Sequence, residues 1–273
     1  MRAPSLRTVI ERRLLINYRV DPDLLARLLP APFRPELVNG YGIAGICLIR
    51  LGQIRPAGVP AAAGLTMESA AHRIAVRWDG ADGPVTGVYI PRRDTSSRLA
   101  ALAGGRVFPG WQHRARFRAD EEHGRFRIQV SSRDGVVRIQ AAGRLSGQIM
   151  PGSAFASLDC ASRFFACAPV GYAATPAEGV FDGVRLETQG WSLRPVHLEQ
   201  VASSFFDDRA RFPPGSAVAD SAFAMSGLTA TWRPQPQFRA RPVRGPNPPD
   251  WAPRPVTARM RTVTTPLSSG RSW

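Results

Sequence analysis

Glu68 and His72, two side chains suited to proton transfer, stand four residues apart in the segment ESAAHRIAVRW, residues 68 to 78. Period-two alternation sends them to the same face as Ile74, Val76 and Trp78, with Arg73 and Arg77 on the other. A carboxylate and an imidazole on an apolar face cost free energy unless they are paired or open on a cavity. Two readings follow. Either both are buried and satisfied by backbone or arginine partners, or they belong to a ligand pocket where Glu68 and His72 are the catalytic pair, with Glu68 as acid or base. Further along, Pro91-Arg92-Arg93-Asp94 leads into a helix expected from about Thr95 to Ala103, capped by Asp94 or Thr95 and ended by Gly104-Gly105. An anion at that helix start would meet free backbone N–H groups and flanking arginines. Asp94 and Arg98 are therefore candidate substrate-binding residues, beside the plainer reading of Asp94 as a cap. Trp111 as a pocket wall and His113 as a hydrogen-bonding group complete the set.

Some chemistry is excluded outright. The chain has no lysine; all 36 of its Lys-plus-Arg residues are arginine, so its only primary amine is that of Met1. A guanidinium stays protonated at any working pH and does not attack a carbonyl carbon as an amine does. A GC-rich codon usage would produce the same absence, since asparagine is also scarce. There is no G-x-G-x-x-G after a strand, no Walker loop, no G-x-S-x-G and no H-E-x-x-H. Four scattered histidines and three cysteines without C-x-x-C spacing give no metal site and no disulfide framework. No metal or cofactor is expected.

The elements that must position these residues alternate between strands and short helices. Residues 13 to 20 read as a strand with Leu14, Ile16, Tyr18 and Val20 on one face. A helix follows with Asp21 as N-cap and Pro22 at its first position, and Pro30 stops it. Residues 41 to 51 read as a long buried strand, and residues 85 to 90 as another. The runs 113 to 119, 125 to 131 and 136 to 142 alternate strictly: His113, Ala115, Phe117, Phe126, Ile128, Val130, Val137 and Ile139 face in, while Arg114, Arg116, Arg118, Arg125, Arg127 and Arg138 face out. A helix around 157 to 166 and strands near 184 to 191, 196 to 204 and 222 to 232 follow. The expected fold class is α+β, mainly β: a strongly bent or closed sheet with a few short helices packed outside.

The net charge of +15 is unevenly placed. Residues 233 to 273 hold eight arginines and one acid in a proline-crowded stretch, which reads as a disordered tail. Residues 1 to 232 are expected to form a single domain. The outward arginines could attract phosphates, but charged outer faces also keep antiparallel sheets soluble, so nucleic-acid binding is the lesser reading. No apolar run approaches the roughly 20 residues that cross a bilayer, and the start lacks a secretory apolar stretch; a cytoplasmic location with no membrane partner is the expectation. A homo-oligomer is compatible with the sequence.

The run RRLLINYRVDPDLLARLLPAPFRPELVNGYGIAGICLIRLGQIRPAGVP, followed by GVYIPRRDTSSRLAALAGGRVFPG and later by SSFFDD and FPPGSA, resembles the domain-of-unknown-function 2071 family over residues 7 to about 232. That family is similar in turn to the acetoacetate decarboxylase superfamily, which implies a cone-shaped β-barrel with helices outside and a pocket within. In the decarboxylases a Tyr-Arg strand end leads to a helix closed by Pro-x-Pro, matched here by Tyr18-Arg19 and Pro30-Ala31-Pro32. Their pocket glutamate falls near Met67-Glu68-Ser69. Their Pro-Lys-Lys segment, which carries the Schiff-base lysine, matches Pro109-Gly110-Trp111, where both lysines are gone. The resemblance thus implies the fold without the Schiff-base decarboxylation. A small acidic or oxygenated metabolite is the expected ligand, acted on by proton transfer (enolisation, dehydration or isomerisation) with Glu68, His72, Asp94, Arg98, Trp111 and His113 around it. The alternative is a non-catalytic ligand-binding or interaction protein on the same fold.

Overall fold

A computed structural model of the chain describes residues 4–80, 82–102 and 110–239. The first strand, β1 (Leu6–Val20), is longer than the expected 13 to 20 and runs directly into α1 (Pro22–Leu28). The Asp21 carboxylate accepts from the backbone N–H groups of Asp23 (2.9 Å) and Leu24 (3.1 Å), and Pro22 occupies the first turn. Here the local signals and the structure agree. Short strands β2 (Arg34–Pro35) and β3 (Leu37–Val38) precede the long hairpin partners β4 (Tyr41–Pro56), β5 (Leu65–Gly80) and β6 (Gly83–Thr95). Then come α2 (Arg98–Leu102), β7 (Gln112–Glu122), β8 (Arg125–Ser132), β9 (Arg138–Leu145) and α3 (Leu158–Ala166). The last strands are β10 (Val170–Ala174), β11 (Val180–Thr188), β12 (Arg194–Ser203), β13 (Ala217–Met225) and β14 (Leu228–Arg239).

All these strands join one mixed sheet that bends back on itself. One circuit of hydrogen-bonded neighbours runs β1, β4, β5, β6, β10, β11, β14 and returns to β1. A second circuit shares β1, β4, β5 and β6 and closes through β7, β8, β9, β12 and β13. The sharing is possible because the outer edges of β1 and β6 change partner along their length. Leu6 to Ile10 pair with β14, and Arg13 to Val20 with β13; Val88 to Ile90 pair with β10, and Arg93 to Thr95 with β7. The mainly β, strongly bent architecture expected from the alternation is therefore the one found.

The wall common to both circuits is buried on both faces. Leu14, Ile16, Tyr18, Ile46, Leu48, Ile74, Val76 and Trp78 pack into one core with Ile128, Val130 and Ile139. The opposite face, through Leu15, Cys47, Ile49, Leu51, Met67 and Ala75, packs into a second core with Phe155 and Phe223, to which α3 adds Phe164 and Phe165. Strands covered on both sides need apolar residues in both registers, and β4, with its run of buried residues from Gly42 to Ile49, has them. By contrast β8 alternates strictly, with Arg125 and Arg127 exposed and Phe126, Ile128 and Val130 buried.

Other boundaries also differ from the expectation. The helix expected from Thr95 begins at Arg98, because Thr95 still belongs to β6; Ser97, not Asp94 or Thr95, supplies the capping oxygen, accepting from the Ala100 N–H at 3.2 Å. The segment 222 to 232 is divided between β13 and β14 at Ser226-Gly227, where Gly227 takes a φ of 71° that favours glycine. Finally, β14 passes the expected boundary at Trp232 and continues through Pro234 and Pro236 to Arg239. Its pairing with β1 stops at Trp232, so beyond that point it pairs on one side only, with β11. An edge strand tolerates residues that lack an N–H. Residues 240–273, which hold most of the expected tail, lie outside the described residues.

Candidate functional site

A row of paired residues crosses the shared wall: Cys47 on β4 lies opposite Ala71 on β5, Ala71 opposite Arg93 on β6, and Arg93 opposite Gln112 on β7. All four side chains line a cavity of about 320 Å³ inside the first circuit. The methyl group of Ala71 and the small Ser69 leave the space that longer side chains fill elsewhere on the wall. Gly171 on β10 does the same from across the ring, and the end of α3, through Phe165 and Ala166, bounds one side. Trp191, Trp232 and Leu186 add broad apolar walls.

The polar lining is cationic. Arg13, Arg73 and Arg93 all reach the cavity, and Arg73 and Arg93 are buried. Among the described residues no carboxylate lies within ion-pair distance of any of the three. Arg73 donates to the Asn17 side-chain oxygen and lies 4.9 Å from the centre of the Phe165 ring; Arg13 sits 6.0 Å from that of Trp191. Burial pushes Arg73 down to about 10, against the influence of Cys47 and with that of Arg13. Burial also lowers Arg93, again opposed by Cys47. Both shifts record guanidiniums removed from water without a counter-anion.

The Nε atoms of Arg13 and Arg73 and the side-chain amide of Gln112, a residue only 2% exposed, have no hydrogen-bond partner among the described residues; the same holds for atoms of Arg12, His72 and Arg114, which do not line the cavity.

Glu68, His72, Asp94, Arg98, Trp111 and His113 do not line this cavity. Glu68 and His72 do share the inward face expected of them, but it is the face turned toward the other core. There Glu68 accepts from Arg12 and, at 2.7 Å, from Arg50, and both arginines also bridge to Glu121. His72 hydrogen-bonds Ser203 Oγ at 3.0 Å and stacks on Phe205. Burial, with Arg92 and Arg211 nearby, pushes its imidazole down to about 3.

Asp94 and His113 are brought together in a separate network. Arg92 donates to Asp94 at 2.9 Å and to Asp134 at 2.7 Å, and His113 Nδ1 lies 3.2 Å from Asp134. Burial pushes the Asp94 carboxyl up to about 6 despite Arg92; burial and Arg92 push His113 down to about 4. Arg98 opens the short α2 and lines no part of the cavity. Trp111 is 39% exposed, with its ring 6.3 Å from His113. At Gly110 a Cβ would lie 2.3 Å from that of Ala173, and φ is 90°. The backbone has no room for a side chain there.

The residues that do line the cavity carried a signal that one-face alternation concealed. Arg73, assigned to the outward face, lies on the register Met67, Ser69, Ala71, Arg73, Ala75, in which small apolar residues separate longer ones. That pattern is unusual for a solvated face and natural for the wall of a cavity.

Comparison with known proteins agrees with this architecture. Residues 8–225 match the domain-of-unknown-function 2071 family, described as an uncharacterized conserved protein, and the chain belongs to that family. No curated protein matches by sequence. Among solved structures, acetoacetate decarboxylase from Legionella pneumophila is similar, with a TM-score of 0.59 at 14% identity over 87% of this chain and 88% of that one. An acetoacetate decarboxylase-like enzyme from Sphingomonas wittichii RW1 has a TM-score of 0.55 at 14% identity, covering 89% and 95%. The enduracididine biosynthesis enzyme MppR, solved in complex with pyruvate, has a TM-score of 0.54 at 15% identity, covering 86% and 91%. At these identities the likeness concerns the fold.

Proposed function

We propose that this member of the domain-of-unknown-function 2071 family, built on the acetoacetate decarboxylase fold, binds a small organic anion in the cavity of its first circuit. The observation that carries the reading is the meeting of Arg13, Arg73 and Arg93 around one cavity, with no carboxylate among the described residues within ion-pair distance of them. Guanidiniums present paired donors that match a carboxylate, and in a site shielded from water such charge-assisted bonds are strong. Trp191, Trp232 and Phe165 suit an apolar or aromatic body attached to that carboxylate. The complex of MppR with pyruvate, itself a carboxylate, is consistent with such a ligand on this fold.

Among the described lining residues there is no carboxylate, imidazole or amine. Binding is therefore favoured over proton transfer by Glu68, whose carboxylate is occupied by two arginines on the other side of the wall. Thermal unfolding of the full chain with benzoate, pyruvate or the neutral isostere benzamide tests the reading through the linkage of binding to stability. The carboxylates should raise the unfolding temperature and benzamide should not; equal shifts, or none, would overturn it.

A further inference from the structure

Among the described lining residues Cys47 carries the only thiol. It is buried within the second core, yet its side chain reaches the cavity in the same cross-strand row as Arg93 and Gln112. Ala71 stands between Cys47 and Arg93 in that row, and Arg73 lies two residues further along β5 on the same face, so both guanidiniums line the cavity that the thiol lines. Reactive cysteines occupy such electropositive surroundings, whereas inert structural ones sit among apolar groups alone. Arg93, buried and without a carboxylate partner among the described residues, lines the same space, so a ligand held by it would lie beside the thiol.

We propose that Cys47 is the nucleophile of this pocket, directed at carboxylates that bear an electrophilic carbon, in particular α,β-unsaturated acids. The inference rests on the anion-binding reading. The carboxylate of the ligand would engage the arginines while its β-carbon meets the sulfur. In the step, the thiol gives its proton to water and the thiolate attacks the β-carbon. An S–C bond forms, the carbon–carbon π bond breaks, and the electron pair passes to the α-carbon and its carboxylate. A proton from water then completes the α-carbon, for a net addition of S–H across the double bond. Nothing is oxidised or reduced.

The folded full-length chain can be treated with iodoacetate or with its neutral counterpart iodoacetamide, and separately with acrylate. Cleavage after arginine releases the three cysteines in separate peptides, Cys47 in residues 28 to 50, so mass spectrometry reads each thiol independently. Iodoacetate should alkylate Cys47 about tenfold faster than iodoacetamide does, a preference expected of a thiol reached through a cationic pocket. The exposed Cys167 should show no such preference. Benzoate should protect Cys47, Arg93→Met should abolish the preference, and acrylate should add to Cys47 alone.

A Cys47 that neither reagent nor acrylate modifies, in a protein still stabilised by benzoate, would overturn the thiol proposal and leave the anion pocket standing. Equal rates for the two alkylating reagents, together with no stabilisation by benzoate, would overturn both. Should Arg93→Met fail to fold, protection of the wild-type thiol by benzoate but not by benzamide gives the same decision.

Discussion

Arg93 and Gln112 face each other across the short parallel ladder between β6 and β7, and both line the same cavity. One is a buried cation without a counter-charge, the other a buried amide without a partner.

Replacing Arg93 by methionine removes a buried, uncompensated charge while keeping most of the volume. The variant should be at least as stable as the parent without ligand, since apolar replacements of buried charges are often neutral or stabilising. Its affinity for benzoate should fall by about 1.5–3 kcal/mol, the worth of a hydrogen bond to a charged group. Urea unfolding and calorimetric titration read the two effects separately.

Gln112→Leu tests the unsatisfied amide in the same way. Removing two unpartnered buried polar atoms should raise the stability of the ligand-free protein by about 1–3 kcal/mol. Urea unfolding of the variant beside the parent decides the matter.

For Glu68→Gln the expectation is reversed. The carboxylate holds Arg12 and Arg50 in a half-buried cluster with Glu121, and its loss leaves one acid for two guanidiniums. Stability should drop by about 3 kcal/mol, while the folded fraction should bind benzoate as the parent does. Lost affinity at full folding would instead assign Glu68 to ligand chemistry.

His72 links stability to pH. Its folded value of about 3 lies below its ordinary 6.5, so between those values the unfolded chain carries a proton that the folded one does not. Its contribution is therefore present above pH 6.5 and lost as pH falls toward 3. Over that window the group should add a slope of about 1.4 kcal/mol per pH unit. His72→Phe keeps the stack on Phe205 and should flatten the urea-unfolding profile between pH 6 and 4 by up to that amount.

Borohydride reduction in the presence of a keto acid should leave no adduct on any side chain. With no lysine in the chain, any trapped iminium must map by mass spectrometry to the amino group of Met1.

Much of the fold is legible in the sequence, because strict alternation in β8 and β9 and the Asp21-Pro22 cap are local signals that tertiary packing does not override. The site was less legible, and the cause is particular. Alternation in β5 correctly separated His72 and Ile74 from Arg73, but it cannot say that both faces are covered. Only the ring closure through β10, β11 and β14 turns the Arg73 face from surface into cavity, and that closure depends on pairings far apart in sequence, such as Leu6 with Trp232. The Cys47, Ala71, Arg93, Gln112 row is likewise a product of register across four strands. No window of sequence contains it.

The wall formed by β1, β4, β5 and β6 has a further consequence. Since β1 bonds to β4 on one side and to β14 and then β13 on the other, it has no free edge, and removing it would breach both circuits at once. The molecule should consequently melt in a single cooperative transition. Backbone amides of β1 and β4 should be the last to exchange with deuterium, and neither circuit should survive as a fragment once the other has been cut away.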